Sequence, residues 1–281
     1  MSRPMPTVSL PSGVIVPALG QGTWNMGERR DRRGAEADAL RLGLDLGVTL
    51  IDTAEMYASG GAEEVVADAM DGRRDEVFLV SKVLPSNASR DGVAAACERS
   101  LKRLRTDVID LYLYHWRGGV ALAETVEGLE ALRRAGKIRF WGVSNFDLDD
   151  MQELVSLGQG DACQTNQVLY NLTRRGAEFD LLPWQAKRGV PTMAYSPVEQ
   201  GALIDDRRLT AIAARHGATA AQIALAWTMR NGDVIAIPKA SDPAHVRQNR
   251  EAADLALTEA DLAELDSLFP PPQRKRPLEM I

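Results

Sequence analysis

The sequence predicts a closed (β/α)₈ barrel, a TIM barrel, with a short N-terminal β-hairpin. Eight short apolar runs are each followed by a helix-periodic segment. Most of these runs are apolar on both faces, as parallel strands covered by helices should be. The chain has 281 residues with no linker or low-complexity break, so residues 1–281 read as a single barrel domain. An open doubly wound sheet is the competing arrangement.

Val8–Leu10 and Val14–Val16 flank Pro11-Ser12-Gly13 and predict the hairpin. Ala18–Thr23 is the first barrel strand, followed by helix Ala35–Leu46 with Ala39, Leu42 and Leu46 at helical spacing and Gly47 as its stop. Strand Val48–Asp52 leads to helix Ala62–Met70, Val77–Lys82 to Arg90–Arg105, and Ile109–His115 to Ala121–Ala135. Strand Ile138–Val143 leads to helix Leu148–Leu157, with Asp147 as its N-cap. Strand Ala162–Gln167 precedes helix Ala177–Lys187. Strand Thr192–Ser196 precedes two helical stretches, Arg207–Arg215 and Ala220–Met229, the second capped by Thr219. Strand Val234–Ile237 precedes a helix from about Pro243, a residue favoured in a first turn. Thr258-x-x-Asp261 opens a last helix, Glu259–Leu268, and Pro270-Pro271-Pro272 ends it before an irregular tail.

Composition excludes several classes. The net charge of -6 and the lack of a concentrated basic face argue against nucleic acid. The basic runs Arg29–Arg33 and Arg274–Arg276 read as solvated loop and tail charge. No apolar run reaches the ~18 residues of a membrane span, and Met1–Leu10 lacks the apolar core of a signal peptide. Cys97 and Cys163 are isolated thiols, which suits a reducing cytoplasm. His115, His216 and His245 fall in unrelated elements, so no metal site is expected.

In a barrel the reacting groups come from the C-terminal strand ends and the loops after them. Those ends here are Asp52, Lys82, His115, Ser144-Asn145, Gln167, Tyr195-Ser196 and Pro238-Lys239. An ammonium directly after Phe78–Ser81 is costly unless paired, and Asp52 ends the neighbouring strand. The ammonium is expected to lower the proton affinity of Tyr57, letting the phenol donate a proton to a carbonyl oxygen. His115 would orient and polarise that carbonyl. The competing readings are a purely structural Asp–Lys pair, and a lyase or isomerase using Lys82 as a Schiff-base amine.

Taken in order, LGQGTW (19–24), IDTAEMY (51–57), LVSK (79–82), LYLYHW (111–116), GVSNF (142–146), TNQVLYN (165–171), AYSP (194–197) and IPKA (237–240) resemble the aldo-keto reductase family over nearly the whole chain. The likeness is to its small bacterial branch of methylglyoxal and other aldehyde reductases. The resemblance implies an NADP(H) cofactor, reduction of a small-molecule carbonyl, and a catalytic tetrad of Asp52, Tyr57, Lys82 and His115. It also implies that the nicotinamide stacks on Tyr195 and that its carboxamide meets Ser144, Asn145 and Gln167. By the same resemblance Gly22, Thr23, Trp24 and Asp52 would border the cofactor, and Ser196 and Pro197 would approach the pyrophosphate. Pro238, Lys239, Ala240 and Ser241 precede the last barrel helix, where backbone N–H groups favour phosphate. Gln248 and Asn249 continue the adenine-side pattern.

Many relatives carry an arginine against the 2′-phosphate where this chain has His245, so NAD(H) use is possible as well. Trp24 and Trp116, with Tyr57 and His115, are expected on the substrate side. The short loop Trp116–Gly119 and the brief tail Pro270–Ile281 predict an open site for small aldehydes. The protein is expected as a monomer or weak homo-oligomer. An NADPH-sensing regulatory barrel is the alternative function.

Overall fold

The computed structural model describes residues 4–281. The hairpin pairs β1 (Thr7–Ser9) with β2 (Ile15–Pro17), Val8 opposite Val16. Eight parallel strands then form the barrel wall: β3 (Gly20–Gly22), β4 (Leu50–Asp52), β5 (Phe78–Val83), β6 (Ile109–Tyr114), β7 (Ile138–Ser144), β8 (Asn166–Leu169), β9 (Thr192–Tyr195) and β10 (Val234–Ala236). The sheet closes between its first and last strands through bridges Leu19–Ala236 and Gly22–Lys239. Ten α-helices cover the described residues: α1 (Arg33–Asp45), α2 (Gly61–Ala69), α3 (Arg90–Leu104), α4 (Leu122–Arg134), α5 (Leu148–Ser156), α6 (Leu181–Lys187), α7 (Arg207–Arg215), α8 (Ala220–Thr228), α9 (Pro243–Ala252) and α10 (Glu259–Leu268). None is long and apolar enough to cross a membrane.

The helix starts follow from their caps. Asp147, Thr219 and Thr258 each accept the N–H three residues on, and Asp150, Gln222 and Asp261 return the bond, making three capping boxes. Two elements differ most from the sequence expectation. β8 runs from Asn166 to Leu169 rather than from Ala162 to Gln167, because Gly160–Ala162 forms a 3₁₀ turn, with Gly160 buried and Ala162 half-buried, and does not join the strand. α6 begins at Leu181 rather than Ala177, because Gly176–Glu178 is a separate 3₁₀ turn, with Glu178 held by Arg175 at 2.7 Å. Pro183 fits that start, since the first turn of a helix needs no internal N–H donor.

Strand alternation sorts side chains into two cores. Ile51, Leu79, Val83, Tyr112, Tyr114, Trp141, Val143, Val168 and Ala194 pack outward among the helices. Leu50, Val80, Leu111, Leu113, Met193 and Ile235 point inward, joined by Val8, Leu10 and Val16 of the hairpin. The same parity carries Asp52, Lys82 and His115 into the barrel, each an even step from an inward neighbour. Cys97 and Cys163 are free and buried, and burial pushes both thiols up to about 12.

Gly142 keeps β7 close to its neighbours. A Cβ there would stand 2.7 Å from the Thr165 carbonyl oxygen and 2.9 Å from Leu113 Cδ2. Backbone cannot give way as a side chain can, so Gly142→Ala should cost about 1–3 kcal/mol. The expected result is a lower urea midpoint with an unchanged denaturant slope.

Candidate active site

The inward groups meet at the C-terminal end of the barrel. Lys82 Nζ, fully shielded from solvent, donates to Asp52 Oδ2 at 2.7 Å, to the Thr53 carbonyl at 2.9 Å and to the Tyr57 hydroxyl at 3.1 Å. All three ammonium donors are thereby used. The other Asp52 oxygen accepts from Gln167 Nε2 at 2.7 Å, across the barrel from β8. A carboxylate only accepts, so this contact faces the amide nitrogen of Gln167 toward Asp52 and turns its carbonyl oxygen the other way. Thr23 Oγ1 fixes the Asp52 carbonyl at 3.0 Å.

These contacts set the charges. Burial works against the Lys82 ammonium, but Asp52 and Tyr57 hold its proton affinity above the ordinary value, so it stays charged. Burial raises the Asp52 carboxyl, and Lys82 and Gln167 oppose that rise. For Tyr57 the sequence expectation needs correction. Burial raises the phenol above its ordinary value, and this outweighs the lowering by Lys82. The structure thus holds Tyr57 firmly protonated. Burial and the nearby Lys82 push His115 down to about 2, so it is neutral throughout the physiological range. Its ring lies 5.9 Å from that of Tyr57, centroid to centroid, and 4.7 Å from that of Trp116.

An open cavity of about 630 Å³ lies over this set. Its lining includes the predicted Gly22, Thr23, Trp24, Asp52, Tyr57, His115, Trp116, Ser144, Asn145, Gln167, Tyr195, Ser196, Pro197, Pro238 and Lys239. Lys82 lies beneath it. Asn145 donates to the His115 carbonyl at 3.1 Å and accepts from the Tyr195 hydroxyl at 3.0 Å, while Ser144 Oγ donates to the Gln167 carbonyl at 2.8 Å. Ala240, Ser241, His245, Gln248 and Asn249 lie outside this cavity; Ala240 and Asn249 instead border a small recess beside Gln21 and Val48. His245 and Lys239 are exposed, and Lys239 Nζ reaches Ser241 Oγ at 3.2 Å. No cluster of His, Cys, Asp or Glu among the described residues could hold a metal.

The outer wall is formed by residues outside the predicted set. Val198, Gln200, Gly201 and Ile204 of the loop after β9 line the cavity, as do Met280 and Ile281 of the tail. Arg174 ties these two segments together, with Glu199 and Glu279 each at 2.8 Å. The site is therefore walled by the brief tail instead of being left open beside it. The exposed apolar side chains of Trp24, Ile204, Met280 and Ile281 rim the mouth. Only the apolar character of the last two residues hinted at this.

The aldo/keto reductase family profile matches residues 18–269, and the chain belongs to that family. It is 52% identical over 273 residues to the methylglyoxal reductase YeaE of Escherichia coli K12, covering 95% of this chain and 96% of that one. It is 33% identical to the glyoxal reductase of Bacillus subtilis, covering 93% and 92% of the two chains. Among solved structures, an aldo/keto reductase from Klebsiella pneumoniae in complex with NADP and acetate superposes with a TM-score of 0.97 at 51% identity, covering 99% of this chain and 100% of that one.

The neutral His115 has a stability consequence. An unfolded histidine takes up a proton near pH 6.5, whereas His115 in the fold stays unprotonated down to about 2. Below pH 6.5 the unfolded state binds the extra proton, so stability falls by up to about 1.4 kcal/mol per pH unit from this group. Urea unfolding of His115→Gln should show a shallower loss between pH 6 and pH 4.5 than the wild type.

Proposed function

We propose that this chain reduces aldehydes and ketones to alcohols with NADPH, and that small dicarbonyls such as methylglyoxal are among its substrates. The observation that carries the reading is the Tyr57 hydroxyl 3.1 Å from a buried, charged Lys82 that is paired with Asp52 at 2.7 Å. Methylglyoxal and glyoxal reductases among the relatives, and a neighbour complexed with NADP, support the substrate and cofactor classes.

The donor set suits a nicotinamide nucleotide. One cavity runs from Tyr57 and His115, past the amides of Asn145 and Gln167 and the ring of Tyr195, to the cationic lip at Lys239. Ser144, Asn145 and Gln167 would hold the carboxamide and Tyr195 the ring face. Gly22, Thr23 and Trp24 would border the nucleotide, and Ser196, Pro197, Pro238, Lys239, Ala240 and Ser241 would take the phosphates. His245, Gln248 and Asn249 would lie on the adenosine side. Bound there, NADPH would supply a hydride, one proton with two electrons, to the carbonyl carbon.

Tyr57 gives its proton to the carbonyl oxygen, and the Lys82 ammonium stabilises the phenolate left behind. His115, neutral, serves as a hydrogen-bond donor that orients the carbonyl without competing as an acid. Asp52 keeps Lys82 charged and in place. Lys82 has no solvent exposure and stays protonated, which makes it a poor Schiff-base amine. Trp24 and Trp116 offer apolar flanks to the substrate. Buried free thiols suit the cytoplasm. The site is assembled from one chain, which suits a monomer or weak homo-oligomer.

Loss of nicotinamide absorbance with methylglyoxal and 4-nitrobenzaldehyde tests the activity. Tyr57→Phe should cut turnover on the order of a hundred-fold or more and leave NADPH affinity nearly intact. Survival of most activity would sink the proton-donor role. His245 is a weaker phosphate partner than arginine. His245→Arg should therefore lower the Kd for NADPH, with that for NADH unchanged, in a fluorescence titration; equal effects on both would show that residue 245 does not meet the 2′-phosphate.

A further inference from the structure

One buried carboxylate in the scaffold of the site has no part in the chemistry above. Glu55 is only 8% exposed. Its Oε1 accepts from the Leu84 N–H at 2.8 Å and from Asn87 Nδ2 at 2.9 Å, and its Oε2 faces Arg99 at 3.6 Å. A buried carboxylate is costly unless so engaged. Its place in the chain is informative. Glu55 stands two residues before Tyr57, and Leu84 two residues after Lys82.

The phenol and the ammonium reach each other from different kinds of support. Lys82 sits on β5. Tyr57 ends an irregular stretch whose backbone–backbone attachments to that strand are the Thr53 N–H to the Val80 carbonyl at 2.9 Å and the Glu55 N–H to the Lys82 carbonyl at a long 3.4 Å. Beyond Tyr57 the chain enters a left-handed turn, with φ of 49° at Ala58, 52° at Ser59 and 93° at Gly60. Consecutive non-glycine residues in this region persist only where neighbouring contacts over-determine them. As the backbone ladder weakens, the Glu55 side chain takes over and grips the segment that follows β5.

We propose that Glu55 is a positioning residue: it staples the Tyr57 loop to the strand bearing Lys82 and so sets the phenol–ammonium contact used in proton donation. This rests on the reading of Tyr57 as proton donor. A staple of this kind acts on the chemical step and not on cofactor binding. Because Lys82 lowers the proton affinity of Tyr57, a slackened contact raises it. Alcohol oxidation with NADP⁺, which needs the phenolate, then begins at higher pH.

Glu55→Ala, Glu55→Gln and Asn87→Ala test this with any carbonyl the wild type turns over. In Glu55→Ala, kcat for reduction should fall about ten-fold or more, since an ångström of misplacement can cost on the order of a hundred-fold. NADPH Kd should stay within about two-fold of the wild type, and the rise of the oxidation rate with pH should move upward. Glu55→Gln retains the Oε1 acceptor and should recover most of the rate. Asn87→Ala should shift the profile in the same direction by less, and it carries the test alone if Glu55→Ala does not fold. A folded Glu55→Ala with wild-type kcat and pH profile overturns the proposal, as does an unmoved profile in Asn87→Ala. An inactive Tyr57→Phe beside a normal Glu55→Ala would mean that the staple fails while the proton donor stands; an active Tyr57→Phe would mean that the donor reading itself fails.

Discussion

An ammonium with no solvent exposure is the constraint around which the C-terminal half of the barrel interior is arranged. Lys82 cannot stay charged there without partners, and each of its three donors finds one. The partners come from β4 and the loop after it, because β4 runs beside β5 with Asp52 level with Val80, so that Thr53 and Tyr57 follow alongside Lys82. Asp52 in turn needs its second oxygen satisfied, and Gln167 reaches it from the far side at 2.7 Å. Removing either member of the pair strands a buried charge, a loss of about 3–5 kcal/mol. In the proposed mechanism stability and chemistry therefore draw on the same atoms, and a variant at Asp52 or Lys82 reports on both at once.

Burial also decides how the acid works. In water a lysine beside a phenol would lower its proton affinity, but here desolvation of the phenolate is the larger effect. Tyr57 is held protonated rather than half-ionised, and in the proposed mechanism release of its proton is driven by a developing negative charge on the substrate oxygen. His115 meets the same environment with the opposite charge type. Its protonation is suppressed, so in the proposed mechanism Tyr57 is the acid and His115 a hydrogen-bond donor only.

The parts legible in the sequence were those set by short-range rules. The apolar runs Val77–Lys82 and Ile109–His115 already placed Lys82 and His115 at strand ends, where a barrel keeps its reacting groups. Asp147, Thr219 and Thr258 announced their helices through capping chemistry that needs only three residues of context. What escaped depends on contacts between segments distant in sequence. The Gln167–Asp52 bond joins residues 115 apart, and the Arg174–Glu279 pair residues 105 apart. No pattern in 270–281 shows where that tail turns. The proton affinity of Tyr57 escaped for a related reason: the sign of its shift depends on how deeply it is buried, which local pattern does not contain.

The cavity is thus built from two materials of unequal stiffness. Its floor is strand backbone with a fully buried ion pair. Its outer wall is the loop after β9, which carries left-handed Ser196, Glu199 and Gln200, together with the tail. The wall is fastened by Arg174, whose side chain is 36% exposed, and ion pairs in such positions contribute little and weaken with salt. Under the proposed function, shape discrimination among carbonyls falls to the wall, which Ile204, Met280 and Ile281 line, and proton transfer to the floor. Substitutions in the wall can therefore change which carbonyl is accepted without disturbing the Lys82–Tyr57 contact, because no hydrogen bond of that contact passes through the wall.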